Sequence, residues 1–405
     1  MVGGVLYSRS TSFKKGAIFN GATFKKKVQF NASVFEEGAA NFGCARIGGN
    51  TVFIGATFKQ NANFNSAKID GDAFFNQSAF EGEADFISAQ IGGSADFTDA
   101  VFKQNANFNS AKIDGGAFFN PATFEGEANF GSAQIGRNVE FTGTVFNSKA
   151  IFYANEFKRD TVFYGTVFAR DVDFQNSSFR TIFFGAEKAQ FSGKVDLRGC
   201  TYDRIEPVSF WQVLLDKERL DPYDRQPFTQ MEERFRQAGE DSLASDVYYE
   251  RKIREAARIK IMKQPLNWIG NRFLWLLTGY GVKLWRLFLA FTLILLLGPF
   301  IFHLDGAVKL KQEKQPTQQI ESQHTPDEGH SISLAEAFWV NLHLFLPVDI
   351  PSGANLEPST KYIFGVETRW GEIGIKFITF ATMLKLAGWV LVPVALAGLS
   401  GLLKR

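Results

Sequence analysis

Cysteine is scarce in this sequence, which contains only Cys44 and Cys200. The repeat described below separates the two residues by about seven layers of roughly 4.8 Å each, far beyond the reach of a disulfide. Two free cysteines are typical of a reducing compartment. Residues 1–16 also lack the basic-then-apolar pattern of a signal peptide. We therefore expect the N-terminal half to be cytoplasmic.

Motifs for catalysis and for metal binding are also absent. The sequence has four histidines, and their spacing to one another and to the two cysteines does not fit a zinc site. No phosphate-binding loop, nucleophile elbow or His-Glu-x-x-His motif occurs. We therefore predict a protein that is not an enzyme and that needs no cofactor or metal.

Phenylalanine, in contrast, is abundant: the chain has 44, concentrated before residue 200. The large apolar residues recur at alternating intervals of five and six, and a small or β-branched residue lies two positions before each. These intervals do not follow one face of an α-helix. Isoleucine replaces phenylalanine once every 22 residues, from Ile47 to Ile135. The sequence therefore predicts a coil of about 22 residues with four faces.

Each face of such a coil places one large and one small side chain inside, so that stacked coils share a continuous apolar core. The predicted ladder of large inward side chains comprises Phe58, Phe64, Ile69, Phe75, Phe80, Phe86, Ile91, Phe97, Phe102, Phe108, Ile113, Phe119, Phe124, Phe130 and Ile135. Residues 56–71 return almost unchanged 44 positions later, at residues 100–115. Two coils were therefore duplicated as one unit.

These Ala-x-Phe steps resemble the pentapeptide-repeat family, in the Phe-rich variant whose faces alternate five and six residues. The resemblance covers Phe13 to Leu197, or about eight coils, and we assign residues 1–200 to it. It implies a β-solenoid, specifically a right-handed quadrilateral parallel β-helix.

The charge balance separates this chain from the acidic members of that family that mimic DNA. Residues 1–200 contain 20 Lys and Arg against 19 Asp and Glu, and the net charge of the whole chain is +2. A duplex mimic needs a strongly anionic surface. A DNA-mimicking topoisomerase inhibitor is therefore only the second alternative function, and no nucleic acid is expected as a partner.

Residues 201–264 predict an amphipathic helical connector. Residues 200–207 are expected to cap the solenoid, and Pro227 can begin a helix that Gly239 ends, with a second helix from about Asp241. This α-helical hairpin resembles the connector that follows the repeats in membrane-anchored pentapeptide-repeat proteins. We interpret it as a spacer, with a docking site for a partner as the alternative.

Residues 265–405 predict a membrane region with a two-helix transmembrane part. It divides into an interfacial helix at 265–281, a span at 284–304, an outer loop at 305–371 and a second span at 373–403. Nine basic residues and one acidic residue lie between Arg251 and Arg286, interleaved with tryptophans as at a bilayer surface. The predicted interface residues are Arg258, Lys260, Lys263, Trp268, Arg272, Trp275, Lys283, Trp285 and Arg286.

The segment at 333–353, between the spans, is similar in placement to the pore helix of two-span potassium channels. Residues 346–351 read Leu-Pro-Val-Asp-Ile-Pro, where a selective filter needs a run such as Thr-Val-Gly-Tyr-Gly. A partial match at 278–281 precedes the first span, and we interpret it as a flexible break. The C-terminal region therefore resembles a degenerate two-span ion-channel module.

The main hypothesis is a non-enzymatic, multi-pass protein of a bacterial inner (plasma) membrane. It would display the solenoid in the cytoplasm as a scaffold or protein-interaction surface, and the positive-inside rule also places the C-terminus there. The alternative is an ion channel or channel-like regulator built from the two spans and the 333–353 segment. The expected partners are the lipid bilayer, a protein that the sequence does not identify, and further copies of the chain joined through the spans.

Overall fold

The computed structural model describes residues 3–185, 189–217, 223–310, 331–347, 356–368 and 371–399. The chain forms two compact units, Met1–Val247 and Tyr248–Arg405.

The first unit is built around a β-solenoid of about nine turns of about 22 residues. Its four faces are parallel sheets of two-residue strands. Face 1 contains the strands Leu6–Tyr7, Val28–Gln29, Thr51–Val52, Ala73–Phe74, Ala95–Asp96, Ala117–Phe118 and Val139–Glu140. Face 2 contains Ser12–Phe13, Val34–Phe35, Thr57–Phe58, Ala79–Phe80, Val101–Phe102, Thr123–Phe124, Val145–Phe146, Val167–Phe168 and Gln190–Phe191.

Face 3 contains Ala17–Ile18, Ala40–Asn41, Ala62–Asn63, Ala84–Asp85, Ala106–Asn107, Ala128–Asn129, Ala150–Ile151, Val172–Asp173 and Val195–Asp196. Face 4 contains Thr23–Phe24, Arg46–Ile47, Lys68–Ile69, Gln90–Ile91, Lys112–Ile113 and Gln134–Ile135. Faces 2 and 3 thus each have nine strands, one more than the predicted eight coils.

Near the end of the solenoid, one corner is lost. The longer strands Glu156–Val162, Ser178–Phe183 and Thr201–Glu206 run through the corner between face 4 and face 1 and join both faces into one sheet. No glycine or asparagine stands at this corner in Glu156–Val162, so the chain does not turn sharply there. Residues 201–206, expected to cap the solenoid, are instead a further paired strand.

The core consists of ladders of phenylalanine rings. Phe97 stacks on Phe75 and on Phe119, with ring centroids 5.0 and 5.1 Å apart, and meets Phe86 and Phe108 edge-on at 5.3 Å. All fifteen residues of the predicted ladder are at most 4% exposed. Strand registers pair each isoleucine of face 4 with the isoleucine one coil away. Repeat spacing alone therefore identified the interior.

Hydroxyl side chains replace alanine at some inward positions, and several of them form a hydrogen bond inside, whereas the buried hydroxyls of Thr51 and Thr161 have no partner among the described residues. Ser78 donates to the carbonyl of Phe53 at 2.7 Å, and Thr166 donates to that of Phe141 at 2.7 Å. A buried polar group is tolerated when it has such a partner. The small inward column therefore accepts Ser and Thr at little cost where a carbonyl of the neighbouring coil accepts the hydroxyl, as at Ser78 and Thr166.

Helices close the end of the solenoid. A 3-10 helix, Val208–Phe210, is followed by α1 (Trp211–Lys217), α2 (Gln226–Gln237) and α3 (Asp241–Ala257). Phe210 stacks on Phe184 of the last coils at 4.3 Å, and Phe228 and Met231 of α2 are fully buried in the same core. Residues 201–247 therefore pack with the solenoid, in the N-terminal part of the connector that the sequence predicted over 201–264.

The second unit holds the remaining helices: α4 (Pro265–Thr278), α5 (Trp285–Phe302), α6 (Leu334–Phe345) and α7 (Phe377–Leu399). Two antiparallel strand pairs accompany them, Val308–Leu310 with Leu356–Pro358 and Tyr362–Thr368 with Gly371–Lys376.

The second apolar helix begins at Phe377, whereas the predicted span begins at residue 373. Residues 371–376, Gly-Glu-Ile-Gly-Ile-Lys, pair as a strand with residues 362–368 instead of beginning the helix. The predicted outer loop over 305–371 therefore contains α6 and strands. Parts of that loop, residues 348–353 of the 333–353 segment and residues 400–403 of the second predicted span lie outside the described residues.

Candidate membrane anchor

Two helices in the described part of the chain are long and apolar enough to cross a membrane. Helix α5 has 18 residues, about 27 Å at ~1.5 Å per residue, and α7 has 23 residues, about 35 Å. The hydrocarbon core of a bilayer is about 30 Å thick. Both helices therefore have the length that a crossing requires.

The outer surfaces of α5 and α7 are apolar. Besides Trp285, the exposed large apolar side chains on these helices are Phe288, Leu289, Leu293, Leu296, Leu297, Phe300, Ile378, Met383, Leu386, Trp389, Val390 and Leu396. Soluble monomers rarely expose so continuous an apolar surface. An apolar surface of this kind is compatible with the hydrocarbon core of a bilayer.

Helix α4 carries one apolar stripe. Leu266, Ile269, Phe273 and Leu276 recur at intervals of three and four, and their exposed fractions are 82, 56, 42 and 61%. Residues at these intervals share one face of a helix. An exposed apolar face between basic ends is typical of a helix that lies in the interface of a bilayer.

The structure brings part of the predicted basic and aromatic set together. Arg272 lies over Trp268 with 5.5 Å to the ring centre. Arg286 lies over Trp275 at 5.5 Å and also donates to the Trp275 carbonyl at 2.8 Å. Cation–π contacts of this kind hold a guanidinium beside an amphipathic ring.

The other predicted interface residues are placed differently. Lys283 lies 4.3 Å from the ring centre of Tyr249, a residue of α3 for which the sequence pattern gave no signal. The remaining four, Arg258, Lys260, Lys263 and Trp285, are exposed, and Trp285 is 61% exposed at the start of α5.

The turn between α4 and α5, where the sequence suggested a flexible break, has a defined set of hydrogen bonds. Gly279, Tyr280 and Gly281 all have positive φ, at 53°, 57° and 83°. The Thr278 hydroxyl accepts from the Gly281 N–H at 3.1 Å, and the Thr278 carbonyl accepts from the Lys283 N–H at 2.9 Å. Tyr280 is 7% exposed, and burial raises the pKa of its phenol.

Helix α6 packs closely against both apolar helices. The Asn341 amide donates to the Ile294 carbonyl at 3.1 Å, and a Cβ on Gly298 would lie 2.0 Å from Asn341 Oδ1. On the other side, a Cβ on Gly388 would lie 1.6 Å from the Phe345 carbonyl oxygen. Glycine at close helix contacts and polar side chains that bond to a neighbouring helix are typical of membrane helix packing. Asn341, a lone amide in an apolar helix, could have been noted from the sequence.

A groove of about 340 Å³ runs between α5 and α7. It is lined by Leu293, Ile294, Leu297, Gly298, Ile301, Phe380, Met383, Leu384 and Ala387. Its lining is almost wholly apolar, so it suits hydrocarbon rather than a polar substrate.

Within the described residues, no group of three or more His, Cys, Asp or Glu side chains is placed to hold a metal ion. Cys44 is exposed and Cys200 is buried, and both are free thiols. Burial raises the pKa of the Cys200 thiol to about 12.

Comparison with known proteins supports the repeat assignment. The family model described as pentapeptide repeats (9 copies) matches residues 53–101, 64–112 and 97–145. These residues lie within the solenoid and contain all fifteen residues of the predicted ladder, so this part of the solenoid is built of pentapeptide repeats. No match was found among curated proteins or solved structures. Pentapeptide-repeat solenoids are typically structural or interaction-mediating rather than catalytic.

Proposed function

We propose that this chain is an integral membrane protein with two spans, α5 and α7, that displays a cytoplasmic pentapeptide-repeat solenoid as a scaffold or protein-interaction surface. The observation that carries the proposal is the exposed apolar surface of both helices. Removing a large apolar side chain from water is worth about 1.5–3 kcal/mol. A dozen such side chains exposed on two neighbouring helices would strongly favour a bilayer.

The basic residues support the orientation. Arg258, Lys260, Lys263 and Arg272 precede the first span at its N-terminal end, and Lys283 and Arg286 stand at the helix entrance. Cytoplasmic flanks of membrane helices carry such an excess of Lys and Arg. Since the solenoid precedes this flank in the chain, it would share the cytoplasmic side of the inner membrane.

Thiol labelling in a bacterial host tests both membrane insertion and orientation. A membrane-impermeant maleimide should label Cys44 only after the cells are permeabilised. A D305C variant in a C44A background places a thiol at the far end of α5 and should be labelled in intact cells. Extraction of the protein by carbonate, or labelling of Cys44 in intact cells, would refute the insertion or the orientation, respectively.

One observation favours a second function, a channel or channel-like regulator. Helix α6 lies between α5 and α7 and begins with a capping box in which Ser333 and Glu336 exchange hydrogen bonds, so it is a well-formed short helix between two spans. Purified full-length protein in a planar bilayer distinguishes the two functions. An anchor should give no current above leak, whereas a reproducible ion-selective current would support the channel.

A further inference from the structure

One corner of the solenoid carries charges of alternating sign. The residue directly after each face 2 strand forms this corner, and in chain order the first six, which we call the charge stripe, are Lys14, Glu36, Lys59, Glu81, Lys103 and Glu125. Strand registers stack the coils so that each of these residues lies one coil from the next. The Lys14 ammonium lies 2.8 Å from Glu36, and that of Lys103 lies 3.0 Å from Glu81.

Face 2, beside the charge stripe, is uncharged. Its outward residues are Ser12, Val34, Thr57, Ala79, Val101, Thr123, Val145, Val167 and Gln190. Those from Val34 to Val167 are partly exposed and span about 30 Å at ~4.8 Å per coil. The outward columns of the other faces all include charges, such as Asp96 on face 1, Asp85 on face 3 and Lys68 on face 4.

The charge order is self-complementary when it is reversed. A two-fold axis that lies in the plane of face 2, at right angles to the solenoid, brings the same corner of two copies together with opposite direction. When the axis passes between the coils of Lys59 and Glu81, these two residues face each other across it. Glu36 then faces Lys103, and Lys14 faces Glu125. A shift by a single coil would place like charges opposite each other.

We propose that face 2 and the charge stripe form an interface between two antiparallel copies of this chain. Two-fold dimers use the same surface patch on both copies, so that patch must complement itself. Flat faces of Val and Thr pack on each other about 10 Å apart, as in stacked sheets. The charge stripe then selects the antiparallel direction and rejects every second register. The reversed order makes the stripe complementary to a second copy of itself as well as to its own neighbouring coils.

Charge exchange in the full-length protein tests the proposal. An acid-stripe variant, K14E/K59E/K103E, turns all six attractive contacts across the two-fold axis into repulsive ones. A base-stripe variant, E36K/E81K/E125K, does the same with the opposite sign. By sedimentation in detergent, each alone should dimerise on the order of 100-fold more weakly than the wild type, since each exposed pair contributes a few-fold. An equimolar mixture should restore a one-to-one dimer.

The matched control is R46E/K68E/K112E, which makes the same charge change on face 4 of the same solenoid. Its dimerisation should equal that of the wild type within about threefold. A wild type that remains monomeric at the highest soluble concentration would overturn the proposal. So would a dimer that the acid-stripe variant leaves unchanged, because its contacts would then lie elsewhere, for example in the spans.

A second variant keeps the test valid if the stripe variants fold poorly. V101R places one long charged side chain in the middle of face 2 and leaves every residue of the charge stripe intact. It should abolish the dimer while the circular dichroism spectrum stays that of the wild type. If V101R dimerises normally, or if the mixed stripe variants do not form a heterodimer although both are folded, the interface is not at face 2.

Discussion

Replacing Phe97 by alanine should destabilise the middle of the solenoid more than any exposed substitution can. The ring is fully buried and touches five other rings, those nearest being Phe75 and Phe119 above and below it. Backbone hydrogen bonds fix the spacing of these coils, such as that from the Phe97 N–H to the Phe118 carbonyl at 2.7 Å. The cavity left by the ring therefore stays open, and we expect a loss of about 4–5 kcal/mol, the upper part of the range for Phe→Ala.

Hydrogen–deuterium exchange of the full-length protein measures this loss coil by coil. A loss of about 4 kcal/mol accelerates exchange through local opening roughly 1000-fold, since ~1.36 kcal/mol corresponds to a factor of ten. In a solenoid, each coil contacts only its neighbours, so the effect should be largest between residues 75 and 119 and should decline outward. F97L, which keeps most of the volume, should cost less than about 1.5 kcal/mol.

The matched comparison is Phe13, a half-buried ladder residue of the first coil. Among the described residues its ring meets two other rings, Phe30 at 5.5 Å and Phe35 at 4.9 Å, so F13A should cost no more than about 2 kcal/mol. Equal losses for F97A and F13A would show that ring stacking does not determine coil stability. If F97A accelerated exchange at Phe174 as much as around residue 97, the idea that each coil is stabilised only by its neighbours would be contradicted.

Three further changes test separate parts of the structure. G126A puts a Cβ 2.4 Å from the backbone of the coil below, so it should lower the free energy of urea unfolding by at least about 2 kcal/mol. G270A has open space around the new Cβ and should be neutral or slightly stabilising. Equal effects of the two variants would contradict the close packing of coils at Gly126. At pH 8, Ellman's reagent should react with Cys44 but not with Cys200, because burial and a pKa of about 12 keep the Cys200 thiol protonated until the chain unfolds. Prompt reaction of two thiols would contradict the burial of Cys200. N341A removes the hydrogen bond between α6 and α5, so it should lower the stability by about 0.6–2 kcal/mol, measured by thermal unfolding in detergent. An unchanged unfolding midpoint would show that this hydrogen bond contributes nothing.

The interior of the solenoid could be predicted because its period is set by sterics. Each inward position of a coil has room either for a large or for a small side chain, so the identities of Phe58 and of the isoleucines are enough to set the register of the coils. The lost corner at residues 156–162 was not predictable in the same way. Phe157 and Phe163 keep a six-residue step that fits the pattern, and the lack of glycine and asparagine between them is the one local signal; pairing with the neighbouring strands shows that the chain runs straight through.

The membrane unit was predictable in composition but not in contacts. The lengths of α5 and α7 follow from apolar runs, and Trp268 with Arg272 are neighbours by helical spacing. The contact of Lys283 with Tyr249 joins residues 34 positions apart in the chain, and no local pattern indicates it. Likewise, the strand at residues 371–376 forms because a partner strand lies beside it, and a hydropathy profile does not detect such pairing.

Packing and charge at the corner beside face 2 give a physical reason for the two-coil period of the sequence. Gly82 and Gly126 lie in alternate coils, and a Cβ on either would come within 2.5 Å of the backbone carbon of Gln60 or Gln104 in the coil below. The coils with glutamine therefore stack on coils with glycine, just as lysine stacks on glutamate in the charge stripe. Copying 44 residues preserves both alternations, whereas copying 22 residues breaks them.

Insertions of duplicated coils in the full-length protein separate these two constraints. A second copy of residues 57–100 inserted after residue 100 should leave the stability of each coil unchanged. A second copy of residues 79–100 alone stacks Glu81 on itself and glycine on glycine, so exchange should show a loss below about 1 kcal/mol from exposed like charges. When residues 57–78 alone are copied directly after residue 78, the copied Gln60 stacks on the backbone of the original Gln60. The resulting overpacking should cost about 1–3 kcal/mol more. If both single-coil insertions are as stable as the double one, neither packing at this corner nor its charges explain why the chain grew by two coils at a time.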